Sequence, residues 1–125
     1  MTELPFSIAF QRDRRRMHIS MFGLWDLAEV QHYETSVVSM TQDILRSGLI
    51  RQFDVLVDLR HHPIQPREVA EALQRVIGRL RDGVARVAVV TSNSSLHKLQ
   101  AARLDQSAHT RFFASIEDAD SWLSA

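Results

Sequence analysis

A chain of 125 residues has room for one domain, here expected over residues 1–125, and buries roughly two-thirds of its unfolded surface on folding. The absence of cysteine excludes disulfides, thiolate metal clusters and a cysteine nucleophile, while 15 basic against 15 acidic side chains leave no basic excess for a nucleic acid. The opening Met1-Thr2-Glu3-Leu4-Pro5 has an acid where a signal peptide needs basic residues, and no run reaches the roughly 20 apolar residues of a membrane span. A soluble, cytoplasmic protein that binds no nucleic acid is the expectation.

Phe6-Ser7-Ile8-Ala9-Phe10 and Met17-His18-Ile19-Ser20-Met21 alternate at period two, the pattern of half-buried strands. The short Arg12-Asp13-Arg14-Arg15-Arg16 connection predicts an antiparallel hairpin with a solvated tip; it is also the candidate phosphate-binding patch of the chain. Gly23 breaks the second strand, and Asp26 with Glu29 forms a capping pattern. Val30, Tyr33, Val37, Met40 and Ile44 then recur at three- and four-residue steps as the core face of a helix, which Ser47-Gly48 ends.

Phe53 to Leu59 reads as a strand with both faces covered, since Val55, Leu56, Val57 and Leu59 are nearly continuous. Pro66 suits the first turn of a helix with the stripe Val69, Leu73, Val76, Ile77 and Leu80. Asp82-Gly83 turns the chain into a second buried strand, Val84 to Val90. A helix is predicted over Ser95 to Leu104, a short strand over Arg111 to Ala114, and a last helix capped by Ser115 and Asp118 that carries Ala119, Trp122 and Leu123. The order β-β-α-β-α-β-α-β-α implies an α/β fold with a mixed, mostly parallel sheet.

This order, with Gly23-Leu24-Trp25, Phe53-Asp54-Val55-Leu56-Val57-Asp58-Leu59, Arg86-Val87-Ala88-Val89-Val90, Phe112-Phe113 and Glu117-Asp118-Ala119-Asp120-Ser121-Trp122-Leu123, resembles the STAS-like domains. The resemblance is to their SpoIIAA-like branch of short bacterial proteins and covers nearly the whole chain. It implies a compact β/α domain akin to lipid-binding folds of the CRAL-TRIO kind. Anti-sigma-factor antagonists of that group switch partner binding by phosphorylating a serine at the start of the helix after the central strand. Here that stretch is Pro63-Ile64-Gln65-Pro66-Arg67-Glu68, and no Ser, Thr or Tyr lies between Ser47 and Thr91. The hydroxyl that such a switch needs is missing.

The candidate residues gather where the central strand meets the next helix, at the carboxyl edge where α/β sheets dock ligands. Asp58, His61 and His62 are the donor types of a metal site, but neighbours at a strand end diverge, and no metal or other cofactor is expected. His61 or His62 suits acid–base chemistry at neutral pH, with Ser92, Ser94 and Ser95 able to approach from the adjacent strand end. The plainer reading makes Asp58 a backbone acceptor and both histidines an exposed loop, with Thr91 to Ser95 a helix cap. Trp25, ahead of the helix cap, is expected to be partly exposed and to border an apolar groove beneath the first helix.

These observations favour a non-enzymatic STAS-like binding or regulatory module that meets a protein partner or a small apolar ligand, with a homodimer also open. Trp25, Arg60, His61, His62, Ser92 and Ser94 are its candidate contact residues. Two other classes stay open: a carrier or sensor of a lipid-like molecule, and a small enzyme using His61 or His62.

Overall fold

A computed structural model describes residues 5–79, 83–92 and 109–125. Strand β1 (Phe6–Gln11) and strand β2 (Arg16–Phe22) form the expected antiparallel hairpin, with Phe6 opposite Met21, Ile8 opposite Ile19 and Phe10 opposite Met17. Helix α1 (Leu27–Arg46) follows, then β3 (Phe53–His61), α2 (Arg67–Arg79), β4 (Val84–Val90), β5 (Thr110–Phe113) and α3 (Ile116–Ser124). The helix expected over Ser95 to Leu104 lies outside the described residues, as does Leu80. The five strands make one sheet in chain order, antiparallel between β1 and β2 and parallel from β2 to β5.

Local chemistry sets the element ends. The Asp26 carboxylate accepts from the Glu29 N–H at 2.8 Å while Glu29 accepts from the Asp26 N–H at 3.0 Å, a complete capping box for α1. Gly48, at φ +73°, closes that helix in the left-handed region, and its N–H donates to the Leu45 carbonyl. Helix α2 begins one residue after Pro66, whose carbonyl accepts from the Ala70 N–H. Ser115 caps α3 by accepting from the Asp118 N–H at 3.2 Å.

The sheet is covered on both faces, as the unbroken apolar run of β3 requires. Val55 and Leu59 join Val89, Met17, Ile19, Val30, Val37, Val69 and Val76 in a core roofed by α1 and α2. Leu56, between them on the strand, faces the other way and meets Ala88, Val90, Ala119 and Leu123 beneath α3.

Arginines hold α3 in place. Arg86 donates to the carbonyls of Trp122 at 3.1 Å and Leu123 at 2.7 Å and pairs with Asp54 at 3.0 Å. A cation on the last carbonyls of a helix also satisfies its dipole. Arg16 is buried and reaches Asp120 and, at 3.2 Å, the Ser124 hydroxyl; Arg14 joins Asp120 at 3.0 Å. The hairpin arginines are therefore not a wholly solvated tip: Arg14 and Arg16 are tied to the C-terminal helix. The Arg16 hydrogen bond holds the Asp120 carboxyl below its ordinary range, outweighing the small opposing effect of burial, and the nearby positive charge adds to it. Among the described residues no helix is long and apolar enough to cross a membrane.

Candidate functional site

The carboxyl ends of β2 and β3 meet through an irregularity. Ser20 pairs with Asp58 but Phe22 pairs with His61, so β3 carries one extra residue at Leu59-Arg60. This extends the strand two residues beyond the expected end at Leu59. It also sets the His61 ring beside Phe22, 6.2 Å away and 12° from parallel. The Gly23 N–H donates to the His61 carbonyl at 3.0 Å and continues the ladder past the bulge.

The two histidines part at this point. His61 is exposed, whereas His62 turns inward, 3% exposed, with its ring edge-on to Trp25 at 5.0 Å. An exposed loop holding both is therefore incorrect. The bulge sends one ring to solvent and the next into the core.

Trp25 is likewise buried, at 3% exposure, which corrects the expectation of a partly exposed ring. Its indole N–H donates to the Phe22 carbonyl at 2.9 Å, and its ring lies among Phe6, Tyr33 and His62. Burial in this cluster pushes the Tyr33 hydroxyl well above its ordinary pKa. Trp25, expected to border an apolar groove under α1, is thus packed against Phe6, Tyr33 and His62.

Gln65 was not singled out in the sequence, yet it organises the edge. Its side-chain oxygen accepts from the Trp25 N–H at 2.8 Å, and its amide nitrogen donates to the carbonyls of Gly23 at 3.1 Å and Pro63 at 2.6 Å. One buried amide thereby fastens the loop before α1 to the loop before α2. A lone Gln between two prolines gives no periodic signal, so only the fold reveals it.

Asp58 and Arg60 form a closed unit on the same edge. The Asp58 carboxylate accepts from the Arg60 N–H at 3.1 Å, from Nε at 3.0 Å and from a terminal guanidinium nitrogen at 2.9 Å. Burial alone would raise this carboxyl, but the Arg60 hydrogen bonds, with the charges of Arg60 and His61, hold it below its ordinary value. Asp58 was expected to accept backbone hydrogen bonds; it accepts one from Arg60 and takes the side chain as well. Ser92 lies two residues beyond Val90, the ladder partner of Asp58, and is half-buried; Ser94 lies outside the described residues.

What the loops leave outside is apolar. Phe22 is 37% exposed, Leu24 66%, Leu27 49% and Ile64 43%; Phe22 ends β2, Leu24 and Ile64 lie in the loops that Gln65 ties together, and Leu27 opens α1 behind the capping box. Phe22-Gly23-Leu24-Trp25-Asp26-Leu27 places four large apolar residues around a turn and a cap, more than one buried face can take, and that excess was the available signal.

No family model and no curated protein matches this sequence. Two solved structures are similar over nearly the full length. One is an uncharacterized protein of the DUF3478 family with a SpoIIAA-like fold from Shewanella loihica PV-4: TM-score 0.64, 14% identity, 98% of this chain and 97% of that chain covered. The other is an anti-sigma factor antagonist from Mycobacterium paratuberculosis, with TM-score 0.62, 12% identity, and 96% and 95% covered. With a five-stranded mixed sheet and, among the described residues, two helices on one face and the last helix on the other, the chain has the SpoIIAA-like, STAS-like fold.

Proposed function

We propose that this chain is a non-enzymatic regulatory module that binds another protein at the carboxyl edge of β2 and β3. Phe22, Leu24, Leu27 and Ile64 form the apolar centre of the contact, with Arg60 and His61 at its polar rim. The carrying observation is that four large apolar side chains stand in solvent at the end of β2, in the two loops that Gln65 ties together from behind, and at the start of α1. Apolar clusters on rigid loops mark protein-binding surfaces, and preorganisation lowers the entropic cost of docking.

Two further points support this reading. One fold neighbour is an anti-sigma factor antagonist, and regulation through protein contact is carried over from it here. The close packing of Trp25 with Phe6, Tyr33 and His62 takes Trp25 away as a ground for a lipid-like ligand beneath α1. Residues 48–90 contain no Ser, Thr or Tyr, so control of this edge does not run through a phosphate at the start of α2.

The test compares wild type with the Leu24→Asp/Ile64→Asp variant as immobilised baits in extract of the native host. A protein retained by wild type is identified, purified and titrated against both. The proposal expects at least about tenfold weaker binding by a variant whose melting temperature is unchanged. Equal affinity for both baits, or no retained protein that binds when purified, would overturn it.

A further inference from the structure

The free edge of the sheet at β1 carries a second inference, independent of the loops above. Phe6–Gln11 is the terminal strand of the sheet, so one side of its backbone faces no other strand among the described residues. Which groups face outward follows from the ladder. The Phe22 N–H donates to the Pro5 carbonyl at 2.8 Å, which makes Pro5 and Phe22 a hydrogen-bonded pair. In an antiparallel ladder such pairs alternate, so Ser7, Ala9 and Gln11 bond to β2 while Phe6, Ile8 and Phe10 direct their N–H and C=O groups to the open side.

Exposed edges template strand pairing unless they are short, charged, bulged or interrupted by proline. Phe6-Ser7-Ile8-Ala9-Phe10-Gln11 has no charge and no proline, and its register with β2 is unbroken. The opposite edge differs. Strand β5 has four residues and includes Arg111. Among the described residues one edge of the sheet is guarded and the other is open.

We propose that β1 pairs with β1 of a second copy of this chain, antiparallel about a two-fold axis at Ile8. In that register Ile8 faces its own copy and Phe6 faces the partner's Phe10. The three outward-directed residues then form three hydrogen-bonded pairs, each exchanging two hydrogen bonds, and the two sheets become continuous. The apolar side chains of Phe6, Ile8 and Phe10 share the face roofed by α1 and α2, so the joined cores run together. On the other face, exposed Ser7 lies opposite the partner's Ala9, small enough to raise no clash. The arginine-rich hairpin tips do not oppose this. Arg12 and the partner's Arg12 fall on opposite sides of the axis, about 27 Å apart along the strands, beyond the roughly 8 Å reach of charge at physiological salt.

The register gives a test that spares folding, because Ser7 and Ala9 are exposed and their side chains face away from the α1 and α2 core. Sedimentation velocity on the full chain is run for wild type, Ser7→Lys/Ala9→Lys and Ser7→Lys/Ala9→Glu. Wild type is expected to sediment at twice 14.3 kDa at micromolar concentrations. The Lys/Lys variant sets like charges across the axis and is expected at the monomer mass. The Lys/Glu variant sets opposite charges across it and returns the dimer. Circular dichroism confirms that all three are folded. A monomeric wild type, or a dimer that persists in the Lys/Lys variant, would overturn the proposal; so would a Lys/Glu variant as monomeric as Lys/Lys.

Discussion

The two ends of the parallel strands use their polar residues in opposite ways. At the amino end, Arg16 and Arg86 turn toward α3 and occupy its Asp120, Ser124 and last carbonyls, while Asp54 accepts from Arg86. At the carboxyl end, Asp58 and Arg60 close on each other, Gln65 closes the loops, and Phe22, Leu24, Leu27 and Ile64 are left in water. Charge at the amino end is structural, and exposed apolar surface at the carboxyl end has no structural task. The charge cluster at the hairpin is therefore in large part an anchor for α3.

Five substitutions probe that contrast, beginning with the one of greatest effect. Arg86→Met should cost about 3 kcal/mol in urea denaturation, because it leaves Asp54 and two helix carbonyls without their donor. A cost below about 1 kcal/mol would mean that the ionic end does not hold α3. Gln65→Ala should cost about 2 kcal/mol, since it orphans the Trp25 N–H and two carbonyls inside the fold. Its tryptophan emission should shift to longer wavelength; an unshifted spectrum would show that the loops do not depend on this amide.

Asp58→Asn is expected to cost about 1–2 kcal/mol at neutral pH. The wild-type carboxyl is held below its unfolded value, so its contribution is present above about pH 4 and lost as pH falls through the lowered value. Denaturation midpoints should thus converge for variant and wild type as the medium is acidified, and parallel curves down to strong acid would refute the pairing. Smallest of all, Leu24→Ser and Ile64→Ser should each change stability by less than about 0.5 kcal/mol. A loss above about 1 kcal/mol would assign these side chains to the core and undo the contrast.

Much of the fold was readable along the chain because it rests on local signals. The capping pair Asp26 and Glu29, the stripe Val30, Tyr33 and Val37 and the run Val55 to Leu59 each carry their meaning within a few residues. The site was less readable because its contacts are distant in sequence. Gln65 acts on Trp25 and Gly23, and Arg16 acts on Asp120, pairings that no periodicity announces. Trp25 illustrates the error most clearly: a large ring ahead of a helix cap is expected at the surface, until the Gln65 amide and the Phe22 carbonyl draw its backbone and indole inward. The extra residue in β3 escaped notice for the same reason. A bulge is a relation between two strands.

The chain has two tryptophans, and they stand at opposite ends of this division. Trp25 lies against the His62 ring at the apolar edge, while Trp122 sits under the guanidinium groups of Arg86 and Arg111, each 5.4 Å from its ring. The molecule thus contains its own pair of optical reporters, one for each end. With either ring changed to phenylalanine, the remaining emission follows the carboxyl edge or the helix anchor alone, and the order in which the two ends loosen becomes visible without an added label.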